Sequence, residues 1–262
     1  MNGMKIYGTI LALLAALFNG TVGVFSVNLF ATGISSEGVA FYKSLVALVI
    51  IFAILLATRQ LKALKAFLIE KWKPVAVCAL FGFFVLYYFE TAAYQYINVA
   101  VVVFCLFGVS TITTFLLNCV LERRFTTVQE SISILLAVGG LYLVFIETAS
   151  LSGQNSLGII LASISGVGYA CFLVLTKRLN IGGGLIPVCA LLVFGVIYLF
   201  IPFAIQGVVA PSSEALPYLL MLAILPTIGG FWCTTKSLTL IESQSVQLIE
   251  LSEPIFALLI GF

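Results

Sequence analysis

All ten acidic residues of this 262-residue chain are Glu, and three of them, Glu90, Glu250 and Glu253, stand inside long apolar runs. Two of the twelve basic residues, Lys43 and Lys236, do the same. An ionisable group at mid-bilayer costs at least about 2.5 kcal/mol, so such groups face a partner, a cavity or a pathway. Tyr87, Glu90, Thr91 and Tyr94 recur at spacings of three and four, which puts them on one helix face. Tyrosines around a carboxylate suit a cavity holding a part-apolar, part-polar small molecule. Tyr94 also suits an interfacial aromatic belt. Further on, Trp232, Thr235, Lys236 and Thr239 share one helical face, and Gln247, Glu250 and Pro254 share another, with Glu253 beside them. A hairpin turning at Ser243 brings Lys236 and Glu250 to equal depth. The expected pair is either an ion pair holding two helices together or part of a substrate cavity.

These residues need a membrane around them. The chain is 62% hydrophobic and 8% charged, with a mean hydropathy of +1.23. A soluble domain is roughly a quarter charged. The pattern is that of an all-α polytopic membrane protein. There is no His and no Asp. That excludes intramembrane aspartyl proteases, His-ligated zinc enzymes, Ser-His hydrolases and Asp-rich prenyltransferase sites. No metal or other cofactor is expected. A net charge of +2, with no basic run interleaved with aromatics, excludes nucleic acid as a partner. Cys78, Cys105, Cys119, Cys171, Cys189 and Cys233 form no C-x-x-C pair and read as small core residues.

Apolar segments of about twenty residues predict helices near Ile6–Val27, Val39–Ala57, Pro74–Tyr96, Val99–Leu121, Thr127–Ile146, Gly158–Thr176, Pro187–Gly207, Ala215–Leu240 and from Ser245 onward. The last is still apolar at Phe262 and reads as a helix cut short. No small-x-small cleavage site follows Leu17, so the first segment reads as a helix rather than a signal peptide. All basic residues except Lys43 and Lys236 fall in alternate connections. The positive-inside rule then places the N-terminus and these connections in the cytoplasm. Pro226 and Pro254 read as kinks or hinges. Gly82, Gly108, Gly139, Gly140, Gly166 and Gly168 read as points of close helix approach.

The chain also repeats itself. Gly8-Thr-Ile-Leu-Ala12 recurs as Gly158-Ile-Ile-Leu-Ala162, and Ala93–Thr111 aligns with Lys236–Pro254 at an offset of 143. With five helices per repeat the copies run in opposite directions, as in many secondary transporters. The expected division is residues 1–146 for the first repeat and 147–262 for the second.

Two stretches carry a family resemblance. Cys119-Val-Leu-Glu122-Arg-Arg-Phe-Thr126-Thr-Val-Gln129, followed by Leu135–Tyr142 with Gly139-Gly140, resembles the fourth-helix exit and fifth-helix start of EamA-type transporters of the drug/metabolite transporter superfamily. Glu250-Leu-Ser-Glu-Pro254-Ile-Phe-Ala257 resembles their ninth-helix motif. Leu17-Phe-Asn-Gly20 and Gly168-Tyr169-Ala170 resemble the paired first- and sixth-helix patterns, which adds Tyr169 to the candidate cavity. The likeness extends over nearly all of the chain. It implies ten helices in two inverted five-helix repeats, both termini in the cytoplasm and a central cavity, with the ninth helix incomplete here. Asn19 stands where the family commonly has Trp, and Lys43 stands near the usual second-helix Arg.

The expected function is secondary transport of small metabolites across the bacterial inner membrane, outward, by alternating access. The resemblance suggests amino acids, related amines and drugs as cargo. No G-x-x-x-x-G-K-[ST] loop is present, so ATP is not the expected energy source. Proton coupling through Glu90, Glu250 or Glu253 and proton-free exchange are both open. A passive channel or scaffold, or an intramembrane lipid-modifying enzyme, are the other classes. The candidate cavity comprises Tyr87, Glu90, Tyr94, Tyr169, Trp232, Lys236, Gln247, Glu250 and Glu253.

Overall fold

A computed structural model describes residues 2–123, 125, 127–149 and 153–261. Arg124 and the connection at residues 150–152 lie outside the described residues. Within them the chain is helical, without strands. The helices are α1 (Asn2–Asn19), α2 (Val22–Ala31), α3 (Ser36–Ala57), α4 (Leu61–Ala79), α5 (Leu86–Ala93), α6 (Val99–Glu122), α7 (Val128–Ala149), α8 (Gly153–Arg178), α9 (Leu185–Gln206), α10 (Leu216–Leu222), α11 (Phe231–Leu238), α12 (Ser243–Glu250) and α13 (Glu253–Gly261). Seven stretches among the described residues are long and apolar enough to cross a membrane. Their lipid-facing sides carry exposed Val49, Leu56, Phe104, Leu116, Ile197 and Ile201. Side chains of this kind are stable outward only against hydrocarbon.

Local chemistry sets the ends. Ser35 caps α3 by accepting from the Gly38 N–H at 3.2 Å, and Asn98 caps α6 by accepting from the Ala100 N–H at 2.8 Å. Pro74 has no N–H for the carbonyl of Glu70, and α4 kinks at Lys71 (φ −120°, ψ 19°). Pro254 likewise leaves the carbonyl of Glu250 without its helical donor, and the chain turns at Leu251–Ser252 between α12 and α13. The expected kink at Pro254 is therefore a full break. A second break, at Gly20–Thr21, separates α1 from α2. Pro226 lies in the wide-turn segment Ala223–Gly230, which joins α10 to α11. A matching π-helical segment, Leu80–Val85, joins α4 to α5. The start of one follows the start of the other by the 143 residues that relate the sequence repeats.

The packing of α1 and α8 is reciprocal. A Cβ on Gly8 of α1 would lie 3.0 Å from Ile241 and 3.1 Å from Leu240, in the turn between α11 and α12. A Cβ on Gly158 of α8 would lie 2.9 Å from Ile97 and 3.0 Å from Tyr96, in the turn between α5 and α6. Thus α1 rests on the α11–α12 turn and α8 on the α5–α6 turn, and glycine permits each approach. Around this pair, α6 runs along α8 and α3 runs along α9.

Basic residues collect at one end of the bundle. Lys177 Nζ donates to the carbonyls of Leu238 (2.9 Å) and Ile241 (3.0 Å) and lies 3.7 Å from Glu242. Arg178 lies 3.6 Å from Glu122, and Lys71 donates to the carbonyl of Asn180. The two lysine ammonium groups meet carbonyls at or just past helix C-termini, where the helix dipole favours them.

Candidate functional site

The two breaks in α1–α2 and α12–α13 meet near the middle of the bundle. Gly20 lies against Phe256 and the Ala257 backbone, and a Cβ there would be 3.0 Å from both. Beside it, Asn19 and Glu253, the first residue of α13, line the same small cavity. Glu253 is 4% exposed and lies within electrostatic reach of both Glu90 and Glu250. Three carboxylates therefore converge on one region from α5, α12 and α13.

Each carboxylate has its own support. Glu90 accepts from the Tyr94 hydroxyl at 2.9 Å and faces the field of Lys43. Lys43 comes from α3 and is fully buried. Its ammonium stands 3.8 Å from the centre of the Tyr87 ring and 3.5 Å from Thr91 Oγ1. A buried ammonium over an aromatic face gains about 2 kcal/mol or more. Glu250 is also fully buried and accepts from the hydroxyls of Tyr169 and, at 2.8 Å, Thr234.

A small cavity of about 20 Å³ lies among these groups, room for one or two waters. Tyr87, Glu90, Tyr169 and Glu253 line it, together with Asn19, Val22, Leu86, Leu106, Phe107 and Phe231. Its walls are aromatic. Tyr87 meets Phe231 edge-on at 5.4 Å, Phe231 tilts against Phe172 at 5.1 Å, and Tyr169 meets Phe107 edge-on at 5.8 Å. Gly230 makes room for Asn19, since a Cβ there would lie 2.2 Å from its Oδ1.

The predicted cavity residues separate into groups. Tyr87, Glu90, Tyr169 and Glu253 line the cavity, and Tyr94 and Glu250 stand at its wall through their hydrogen bonds. Gln247 is fully buried between helices, accepting from Ser110 at 2.8 Å and donating to Thr111 at 3.2 Å. It ties α12 to α6. Trp232 packs with Leu11, Ala15 and Phe18 of α1, outside the cavity. Phe231, one residue earlier, takes the inward position, because one residue turns a helix by about 100°.

The expected pairing of Lys236 with Glu250 is not formed. Both Glu250 oxygens are taken by hydroxyls, and the α11 residue that reaches them is Thr234. Lys236, two positions on, faces away. It is half-buried near the basic end, with its backbone under Gly183, whose Cβ position is 2.6 Å from Lys236 Cα. The chain turns at residues 239–242 rather than at Ser243, so Lys236 lies three residues from the turn and Glu250 eight, and the two differ in depth. The buried ammonium of the site is Lys43.

Phe107, Phe231 and Asn19 were missed as cavity residues. For the two phenylalanines no signal existed, since they are two of 22 in an apolar chain. Asn19 carried one, a polar residue followed by glycine within an apolar run.

Comparison with known proteins bears on the fold and the family. The EamA-like transporter family matches residues 6–146. A solved structure described as "Crystal structure of protein" superposes with a TM-score of 0.73 over 97% of this chain and 86% of that chain, at 14% sequence identity. At that identity the likeness carries the fold alone. No curated protein matches the sequence. With more than half of its length matched, the chain belongs to the EamA-like transporter family, membrane proteins of the drug/metabolite transporter superfamily.

Proposed function

We propose that this protein is a secondary transporter that exports small amine-bearing metabolites, amino acids or related amines and drugs, across the inner membrane by alternating access. The observation that carries the reading is the aromatic cavity bounded by Glu90, Glu250 and Glu253 and balanced by one buried ammonium, Lys43. Three carboxylates against one cation leave a site that favours a positively charged cargo group or protons. Aromatic faces add attraction for an ammonium and contact area for an apolar side chain. The cavity, at about 20 Å³, is too small for such a cargo, so transport requires it to widen. Opening it requires the broken helices and the two π-helical segments to move, and helix breaks near the bilayer midplane are where alternating-access carriers place their sites.

In this reading residues 1–146 and 147–262 act as two inverted repeats that rock against each other. The N-terminus and the basic end lie in the cytoplasm, in keeping with the charge bias of the connections. Glu90, Glu250 and Glu253 contact cargo or carry protons, Tyr87 and Tyr169 form its walls, and Tyr94 orients Glu90. A counterflow screen in proteoliposomes preloaded with unlabelled amino acids or amines tests this. The expected result is saturable accumulation of at least one labelled amine driven by the preloaded counterpart. Linear, non-saturating flux would assign a channel instead.

A further inference from the structure

The helical stretch Leu61–Ala93 has 33 residues, and at 1.5 Å per residue it is roughly 50 Å long. A hydrocarbon core is about 30 Å thick. The residues after the kink at Lys71 suffice to cross it, so Leu61–Glu70 is surplus. This surplus is amphipathic. Leu61, Leu64 and Leu68 fall on one stripe at spacings of three and four, with Lys65 at its edge and Lys62 outside it. A helix of this kind lies in the plane of the interface, with its apolar stripe in the acyl region.

Under the stripe is a groove of about 440 Å³, between Leu61, Leu64, Leu68 and Trp72 on one side and Phe52 of α3 on the other, with Lys65 on its lining. Phe52 is 45% exposed and Trp72 is 52% exposed, so the groove is open to its surroundings rather than sealed by protein. The segment from Arg59 to Lys73 carries five basic residues and one acidic residue, Glu70. Lys71 is engaged by the Asn180 carbonyl, and Lys73 stands 5.5 Å from the centre of the Trp72 ring. Among the described residues no acidic side chain pairs with Arg59, Lys62 or Lys65, all of which are exposed. Apolar walls, unpaired cations at one end and an interfacial depth match one ligand in both of its parts.

We infer that the groove between α3 and the Leu61–Glu70 segment binds an anionic phospholipid, its acyl chain against Phe52 and Leu68 and its headgroup phosphate at Lys65 and Lys62. Trp72 sits at the groove and reports occupancy directly. The inference needs only that the protein resides in a bilayer, and it stands whether or not an amine is transported.

The test uses the full chain with Trp232→Phe, which leaves Trp72 as the only tryptophan, reconstituted in phosphatidylcholine. Brominated-chain phosphatidylglycerol and brominated-chain phosphatidylcholine are added at equal mole fraction, and quenching of Trp72 is compared. Phosphatidylglycerol is expected to quench in preference. Each of Lys62→Gln and Lys65→Gln should lower the relative association constant about fivefold, and raised salt should weaken the preference in the unmutated groove as well. Equal quenching by the two lipids, or a preference that survives both lysine changes and high salt, would mean that bulk lipid fills the groove without recognition, and would overturn the inference. The salt titration decides the matter if a lysine variant fails to reconstitute.

Discussion

The Lys43 ammonium, from α3, lies 3.8 Å from the centre of the Tyr87 ring, one turn of helix before Glu90. Lys43 is fully buried, so its charge is supported by that ring, by Thr91 and by the field of Glu90. Lys43→Met removes the cation and leaves Glu90 beside two other carboxylates. Stability should fall by about 1–3 kcal/mol, read as a lower melting temperature in detergent. Adding Glu90→Gln should restore most of it, because the carboxylate that Lys43 faces is then neutral. Transport should be lost in both variants. A Lys43→Met protein that melts as the parent does would show that the pair is not coupled.

Glu250 is held by hydroxyls, and this separates two kinds of substitution. Glu250→Gln keeps an acceptor oxygen for one hydroxyl donor and removes the charge. It should fold normally and fail to transport. Thr234→Val takes away one of the two donors, and should cost about 1 kcal/mol in stability while transport is weakened rather than abolished. Melting curves and initial uptake rates, measured on the same preparations, distinguish the two.

Lys236→Met should be nearly silent. Its side chain meets neither Glu250 nor the cavity, so the melting temperature should shift by no more than about 0.5 kcal/mol would give. Uptake should stay near that of the parent. A loss of transport as severe as that of Glu250→Gln would bring Lys236 into the cargo path in another conformation.

The three buried carboxylates were legible because a charge in an apolar run stands out whatever the fold. Spacing of three and four was enough to gather Tyr87, Glu90 and Tyr94. The partner of Glu250 was not legible. The turn falls at residues 239–242 instead of Ser243, which leaves Lys236 close to it and lets Thr234, farther from it along α11, reach Glu250. Which side of α11 faces inward depends on the angle at which the helices meet. The same limit exchanged Trp232 for Phe231. The break at Gly20–Thr21 lacks a proline and left little trace, whereas Pro254 announced the break beside it. The π-helical segments are widened turns of otherwise continuous apolar helices, and hydrophobic periodicity does not reveal them.

Glycines divide by what surrounds them. A Cβ on Gly166 of α8 would lie 2.4 Å from the backbone oxygen of Leu106, which cannot swing aside, whereas Gly139 of α7 has nothing within 4 Å. Gly166→Ala should force α6 and α8 apart and cost about 1–3 kcal/mol. Gly139→Ala should be neutral, or stabilising by up to about 1 kcal/mol through helix propensity. Thermal melts of the two variants side by side check the prediction.

Orientation can be read by labelling. In a background without the six native cysteines, a single cysteine at exposed Lys65 or Arg178 should react with an impermeant maleimide only from the cytoplasmic side, and one at exposed Ser212 only from outside. Reaction of positions 65 and 212 from the same side would break the inverted-repeat topology.

Movement of a small amine by the buried carboxylates around the aromatic cavity can be measured directly. Its most direct test is counterflow in proteoliposomes, using the best amine from the screen, for the parent, Glu90→Gln, Glu250→Gln and Glu253→Gln, each verified as folded by its melting curve. Saturable, trans-stimulated uptake is expected of the parent, with loss of at least tenfold in each folded variant. Parent-like counterflow in all three variants would contradict it.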